Sequence, residues 1–477
     1  MTTDNVKKIA LPALVAMVVG SMIGSGIFAL PSRFATATGV YGALIAWVIA
    51  GGGMLMLAFV FQSLAQRKPD IDSGIFAYAK YGFGEYWGFA AAVGFWLGTI
   101  VGNVSYWVLI KSTLGGFFPI FGDGNTLTAV LVASVMVWAF HFLILRGVTE
   151  AAGINKIVTY AKIVPLLVFV MVLLFHFDTA IFVDNLVGGG DDASYDRIWQ
   201  QVRRTMLITV FVFIGIEAAS VYSRYAKKRE DVGRATLIGF FIVIAMLVAV
   251  TVLSYGVMPR AELAQLRAPS VAGVMESMVG PWGAIFISVG LLISVLGAYL
   301  AWSLLAAEVP YVASKYGLFP KFFGELNENK VPKNALLMTN LIVQAFLIVT
   351  MFSEYAFVVA LELTSALTLI PYLLVAAYAV KLAYTRESYE LDPAARNKGL
   401  VIAVIATFYA ALMIYSGGMK YILLSALLYL PTTILFYQAR RALGQPVFSK
   451  SEMGLFALIV FGFLTAVVAL ATGQLRI

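Results

Sequence analysis

The chain consists largely of long apolar blocks, each about as long as a lipid bilayer is thick. A helix needs roughly 20 mostly apolar residues to cross the hydrocarbon layer, whereas a barrel strand needs only about 9 to 11. Backbone amides and carbonyls must find partners inside the protein at that depth, and helices achieve this within each segment. We therefore expect an all-α membrane protein with thirteen spans, at approximately 10–31, 40–65, 84–113, 126–145, 153–176, 203–223, 233–257, 280–312, 334–352, 355–381, 399–416, 419–439 and 453–472.

The residue types agree with a membrane protein and disfavour an enzyme. Charged residues make up 12% of the 477 positions, against about 25% in soluble domains. The chain has no cysteine and only two histidines, His141 and His176, so we expect no disulfide, no metal site and no cofactor. Neither histidine lies in a pattern typical of a nucleophile with its base. A channel or a membrane enzyme is therefore only a remote alternative to a transporter.

The net charge of +8 can indicate nucleic-acid binding or the basic cytoplasmic loops of a membrane protein. With thirteen alternating spans and a cytoplasmic N-terminus, 23 Lys and Arg residues fall in inside loops and nine outside. This asymmetry predicts that orientation and no nucleic-acid partner. Merging two late blocks would give twelve spans and reverse the side of the C-terminus. The first block lacks a small-residue cleavage site, so we expect it to be retained.

Two spans are interrupted by glycine and polar residues. Span 1 contains Gly24-Ser25-Gly26, and span 6 contains Ile214-Gly215-Ile216-Glu217. Small residues allow close helix packing, but glycine also favours unwinding. A broken helix exposes amides that suit a carboxylate and carbonyls that suit an ammonium. Two such breaks five helices apart predict inverted repeats with a substrate site near the membrane midplane.

Ionisable residues inside the spans are a second feature, because charge is costly in lipid and usually functional there. These residues are Lys162, Glu217, Glu308 and Glu362. A buried ion pair, or a side chain that reaches the interface, is the structural alternative, and it is strongest for Glu308. Phe211 and Trp302 offer aromatic faces that can hold an ammonium or guanidinium, with ordinary packing as the alternative.

Several segments match the signatures of one transporter family. They are VGSMIGSGIFALP, SGIFAYAKYGFG, VFIGIEAASVYSRYAKKREDVGRAT, LLAAEVPYVASKYGLFPKFFGELNENKVPKNAL and IPYLL. They resemble the amino acid–polyamine–organocation transporters, and within these the basic amino acid/polyamine antiporters, arginine/ornithine antiporters of bacteria above all. The resemblance implies a LeuT-like fold: a core over 1–380 with inverted five-helix repeats at about 10–176 and 203–381, then C-terminal helices over 381–477.

The same resemblance implies how a substrate binds. The carboxylate binds the amides of Ser25 and Gly26, and the α-ammonium binds carbonyls of Met22, Phe211 and Ile214. Phe211 is also the aromatic gate, where arginine/agmatine relatives carry tryptophan. The distal cationic group is held by spans 3, 8 and 10, at Gly98, Thr99, Asn103, Trp302 and Glu362.

Three further residues are predicted to act in coupling or gating. Glu217 matches the family's acid on helix 6, and Glu308 lies near the inner end of span 8. Lys162 matches a lysine that stands where sodium-coupled relatives bind a cation. Its presence disfavours a sodium requirement and favours exchange or proton coupling.

The resemblance implies a secondary active transporter of a bacterial inner membrane. We expect this transporter to exchange a basic amino acid such as arginine for ornithine, or a related amino acid or amine, by alternating access. A proton-coupled uptake permease of the same fold is the alternative. The expected partners are the amino acid substrates, membrane lipid and a second copy in a homodimer.

Overall fold

The computed structural model describes residues 10–68, 71, 75–147, 152–187, 197–217, 229–353, 355–389 and 393–475. These residues form helices, short 3-10 turns and one isolated bridge between Leu326 and Pro332, which confirms the all-α class. The helices are α1 Leu11–Met22, α2 Leu30–Ala37, α3 Val40–Arg67, α4 Ile75–Phe83, α5 Glu85–Gly115, α6 Leu127–Leu145, α7 Ala152–Phe175, α8 Thr179–Asp184, α9 Ile198–Phe213, α10 Arg229–Ser254, α11 Arg260–Gln265, α12 Ser270–Val279, α13 Pro281–Lys315, α14 Lys333–Val349, α15 Ala356–Thr385, α16 Pro393–Ala442 and α17 Lys450–Ala471.

Among the described residues, nine helices are long and apolar enough to cross a membrane, or ten if the bent pair α1 and α2 is one span. The predicted spans 399–416 and 419–439 both lie within α16, which consists of two helices that meet at Gly418, where φ 75° and ψ 176° are non-helical. The predicted span 203–223 is described only as far as residue 217. The total of thirteen therefore stays a prediction.

The chain divides into two compact units. The first comprises residues 1–70, 156–294 and 393–406, and the second comprises 71–155, 295–392 and 407–477. Each unit takes helices from both predicted repeats. The division into inverted repeats and a C-terminal extension stays a prediction.

A stack of buried aromatic rings organises the first unit. Phe34 of α2 stacks on Trp47 of α3 with ring centroids 5.1 Å apart. Phe213 meets Trp47 edge-on at 6.1 Å and stacks on Phe240 of α10 at 5.6 Å. Such ring pairs add to the stabilisation from burial alone. Since Phe213 is the last residue of α9, the stack fixes the end of that helix.

Helix α5 is the buried centre of the second unit. Glycines spaced four residues apart, among them Gly98 and Gly102, line its contact with α15. A Cβ at Gly98 would lie 2.7 Å from Thr368 Oγ1, and one at Gly102 would lie 3.4 Å from Thr364 Cγ2. Small residues at this spacing let two membrane helices approach closely.

The C-terminal helix α17 is joined to the start of α5 by one carboxylate. Glu452 is buried and accepts hydrogen bonds from the amides of Ser449 at 2.7 Å and Tyr86 at 2.8 Å. Amides at helix N-termini lack partners in their own helix, so Glu452 caps two helices at once.

Candidate substrate site

The predicted break in span 1 is confirmed. Helix α1 ends at Met22, and Ile23 leaves the helical region with ψ 99°. A 3-10 turn, Gly26–Ala29, then leads into α2, and the two halves are bent by 44°. Pro31 lies in the first turn of α2, where its missing amide costs nothing.

This break leaves a group of hydrogen-bond donors. No described residue accepts a hydrogen bond from the amides of residues 24–27. The Ser25 side chain is fully buried, and its Oγ has no hydrogen-bond partner in the described part of the chain. Free amides at a helix N-terminus, together with the helix dipole, favour an anion. The arrangement suits a carboxylate.

The helix of span 6 ends at the residues where its break was predicted. Helix α9 ends at Phe213, and Ile214 is non-helical with ψ 131°. Gly215 has φ 108°, a conformation that side chains disfavour. Its amide donates to Glu217 Oε2 at 3.1 Å, so the buried acid supports the break itself. The part of span 6 after residue 217 lies outside the described residues.

The two breaks contact each other at their glycines. Ser21 Oγ donates to the Gly215 carbonyl at 3.1 Å. A Cβ at Gly215 would lie 2.6 Å from the Ser21 carbonyl oxygen. A Cβ at Gly26 would lie 2.6 Å from Val212 Cγ1 and 2.8 Å from Phe211 Cδ1. Both positions therefore require glycine.

Lys162 of α7 stabilises the end of α1 at the first break. Its side chain is only 6% exposed, and its Nζ donates to the Gly20 carbonyl at 2.8 Å. In an unbroken helix this carbonyl would accept the amide of Gly24. The ammonium replaces that amide, and a positive charge at a helix C-terminus is favourable.

The residues implied to bind the ammonium lie around the two breaks. Met22, Phe211 and Ile214 are all buried. The Phe211 carbonyl accepts the Ile214 amide at 3.2 Å, which leaves it a second lone pair. The Phe211 ring packs on Gly26, so the implied gate and the implied carboxylate site are neighbours in the first unit.

Some of the residues that the resemblance assigns to the distal cationic group of the substrate lie together in the second unit. Asn103 Nδ2 donates to Ser303 Oγ at 3.4 Å, and Ser303 follows the half-buried Trp302. Asn103 is 1% exposed, and its Oδ1 has no hydrogen-bond partner among the described residues. Thr99 instead donates to Phe95 in its own helix at 2.8 Å.

Glu362 lies apart from the contact between α5 and α15. Gly98 and Gly102 meet Thr364 and Thr368, and residues two apart on a helix point about 200° apart. The half-buried Glu362 thus lies on a different side of α15 from Thr364. Glu308 is exposed on α13. The implied roles of both acids stay predictions.

The sequence did not reveal the hydroxyl groups that hold the first break. Ser21 meets Gly215, 194 residues away, and Ser32 meets Ser270, 238 residues away. Serine is common in membrane helices, so the residue type alone did not single out Ser21 or Ser32. Among the described residues, no group of histidine and acidic side chains has the arrangement of a metal site.

Comparison with known proteins identifies the family of the chain. A family model described as amino acid permease matches residues 9–420. The chain belongs to the amino acid permease family. This permease is 50% identical to the arginine/ornithine antiporter of Pseudomonas aeruginosa, over the full length of both chains. It is 38% identical to an L-lysine transport protein of Corynebacterium glutamicum, covering 99% of this chain and 97% of that one.

A third relative is the arginine/agmatine antiporter of Chlamydia abortus. It is 36% identical, with 99% of this permease and 98% of the relative covered. Family membership and the apolar helices make the protein a multi-span membrane transporter of amino acids and not an enzyme.

Proposed function

We propose that this permease exchanges arginine for ornithine across a bacterial inner membrane, with its N-terminus in the cytoplasm. One observation carries the proposal: the two helix breaks meet, with Ser21 bonded to the Gly215 carbonyl and Gly26 packed against Phe211, and no described residue accepts from the amides of residues 24–27. An α-amino acid carries a carboxylate and an ammonium on a single carbon, and so needs both amides and carbonyls. The relatives named for arginine, ornithine and lysine support a basic side chain.

The paired breaks hold the backbone part of the substrate in this proposal. The carboxylate binds the amides of Ser25 and Gly26, and the ammonium binds carbonyls of Met22, Phe211 and Ile214. A half-helix N-terminus carries about half a positive charge, which attracts the carboxylate. Movement of the Phe211 ring then closes the site.

The side chain of the substrate is assigned to the second group of residues. The unsatisfied Asn103 Oδ1 is an acceptor for a guanidinium or ammonium N–H, and Trp302 offers a face for the cation. Thr99 and the backbone at Gly98 complete this group. Glu362 supplies the opposite charge, which selects basic over neutral amino acids.

Exchange requires that the empty carrier change its orientation slowly. In this proposal, binding of arginine or ornithine permits the change of orientation. The empty carrier therefore waits for a substrate on either side.

Proton-coupled uptake is the second candidate. The observation in its favour is that two buried ionisable groups, Lys162 and Glu217, bind the backbone of the breaks. Uptake into liposomes without internal amino acid, driven by a proton gradient, would support this candidate. An obligate exchanger shows none. A homodimer and specific lipid contacts stay predictions for either candidate.

Counterflow in proteoliposomes tests the exchange directly. Labelled arginine should accumulate in vesicles loaded with unlabelled ornithine and stay outside vesicles loaded with buffer. Saturation of the rate with arginine separates a carrier from a channel. Equal uptake into loaded and empty vesicles would contradict the exchange.

Glu362→Gln tests the assignment of the distal charge. We expect the preference for arginine over a neutral amino acid to fall by about tenfold, because one charge-assisted hydrogen bond is lost. Competition of labelled arginine uptake by a panel of amino acids and amines measures this preference. Glu325→Gln is the matched control, since Glu325 is an exposed partner of Lys333 at 3.3 Å. Unchanged arginine preference in Glu362→Gln would remove Glu362 from the site.

A further inference from the structure

A segment after α10 is fastened to the second half of span 1. We call residues 255–279, which include α11 and α12, the clasp, and residues 26–37 the half-helix. Both α11 and α12 pack against α2 of the half-helix, and α12 also packs against its 3-10 turn. All of these residues belong to the first unit.

Ser270 of the clasp enters the hydrogen-bond ladder of the half-helix. It is the first residue of α12 and is fully buried. Its hydroxyl accepts from the Ser32 amide at 3.2 Å and donates to the Phe28 carbonyl at 3.4 Å. A continuous α-helix joins the amide of residue 32 directly to the carbonyl of residue 28. The Ser270 hydroxyl bridges these two groups, and such insertion alters the local course of a helix.

A second attachment lies at the other end of the half-helix. The Tyr255 hydroxyl donates to the Thr38 carbonyl at 2.7 Å. Asn185 Nδ2 in turn donates to the carbonyls of Tyr255 at 2.7 Å and Met258 at 3.0 Å. Tyr255, Thr38 and Asn185 are all buried. The clasp thus holds the half-helix at residues 28–32 and again at its end.

These contacts bear on the substrate site because of where they lie. The free amides at residues 24–27 stand at the N-terminus of the half-helix, within two turns of the Ser270 bridge. The direction in which these amides point depends on the course of the two turns that follow them. A small misplacement of binding groups is enough to lower activity strongly.

We infer that Ser270 is a positioning residue for the substrate carboxylate, and that the clasp and the half-helix move as one piece during transport. This inference rests on the proposed function, since it concerns the same amides. Ser270 acts through Phe28 and Ser32 and does not itself contact the substrate.

Ser270→Ala tests the positioning role by steady-state exchange kinetics. We expect the arginine KM to rise by about five- to tenfold, while the maximal rate per folded protein changes less than about twofold. A purely structural role would instead lower the amount of folded protein and leave KM unchanged. Ser277→Ala is the control, because Ser277 lies on the same helix and bonds only to Val274 within it, at 2.8 Å. A KM for Ser270→Ala equal to that of Ser277→Ala would overturn the positioning role.

The absence of cysteine from the chain permits a test of the movement. Ser270→Cys and Ser277→Cys each introduce one thiol on α12, the first at a buried position and the second at an exposed one. The protein in nanodiscs is treated with a water-soluble maleimide, with and without saturating arginine. We expect Ser277→Cys to label rapidly and Ser270→Cys to label at least about tenfold more slowly in both conditions. Rapid arginine-dependent labelling of Ser270→Cys would show that the clasp separates from the half-helix.

The wild-type protein distinguishes this inference from the proposed function. If wild-type vesicles exchange no amino acid, the proposed function fails. If they exchange arginine while the Ser270 variants behave like the Ser277 variants, only the present inference fails.

Discussion

Gly215→Ala is expected to lower arginine exchange by about a hundredfold while the protein still reaches the membrane. Gly215 has φ 108°, and a new Cβ would lie 2.6 Å from the Ser21 carbonyl oxygen. Strained backbone of this kind costs about 1–3 kcal/mol, and relief of the clash must move one break away from the other. A shift of about 1 Å at a binding site is enough for a hundredfold loss. Counterflow rates, normalised to reconstituted protein, measure the effect.

Gly52→Ala is the matched control for this substitution. Gly52 lies within α3, and a Cβ there would meet no atom within 4 Å. Alanine also favours a helix by about 1 kcal/mol over glycine, so exchange should stay at the wild-type rate. Gly26→Ala should resemble Gly215→Ala, because its Cβ would meet Val212 and Phe211. Normal exchange by Gly215→Ala would mean that transport does not depend on the observed shape of the break.

Lys162→Met is expected to lower exchange by about ten- to hundredfold. The substitution keeps a long side chain but removes the donor to the Gly20 carbonyl, 2.8 Å away. An unsatisfied buried acceptor costs about 1–3 kcal/mol, and the favourable charge at the end of α1 is lost as well. Initial counterflow rates and thermal unfolding in detergent separate a transport defect from loss of folded protein.

Lys162→Gln separates the hydrogen bond from the charge. Glutamine keeps a hydrogen-bond donor without a charge. If the hydrogen bond to Gly20 is what stabilises the break, Lys162→Gln should keep part of the exchange rate. A carrier that needs the ammonium to titrate should lose transport in both variants. Lys333→Gln serves as the control, since its exposed ion pair with Glu325 contributes at most about 1 kcal/mol. A wild-type rate for Lys162→Met would exclude a bracing role.

The breaks were predictable from the sequence because their causes are local. Glycine lowers the helix preference of the residues around it, and a polar residue beside it in an apolar block stands out. The helices end next to the predicted residues: α1 ends at Met22, before 24–26, and α9 ends at Phe213, before 214–217. The membrane-spanning all-α class was predictable for the same reason, since each apolar block must satisfy its own backbone.

The neighbours of each residue were not predictable, because a contact joins positions far apart in the chain. Gly98 was implied to bind substrate, and the structure shows that its side-chain face is covered by Thr368 of α15. The rotation of α15 about its axis determines that Thr364 meets Gly102 of α5. An apolar block has no feature in its sequence that specifies this rotation. The thirteen blocks likewise did not show that the two helices of α16 follow one another directly across a kink at Gly418.

The sequence by itself determined that the protein lies in a membrane as helices, and where two of those helices break. Only the tertiary structure decided what completes the first break: Lys162 at Gly20, Ser21 at Gly215, and Ser270 at the half-helix. The physical reason is that a helix break is a local backbone property. The groups it leaves unpaired take partners from whichever helices packing brings beside them.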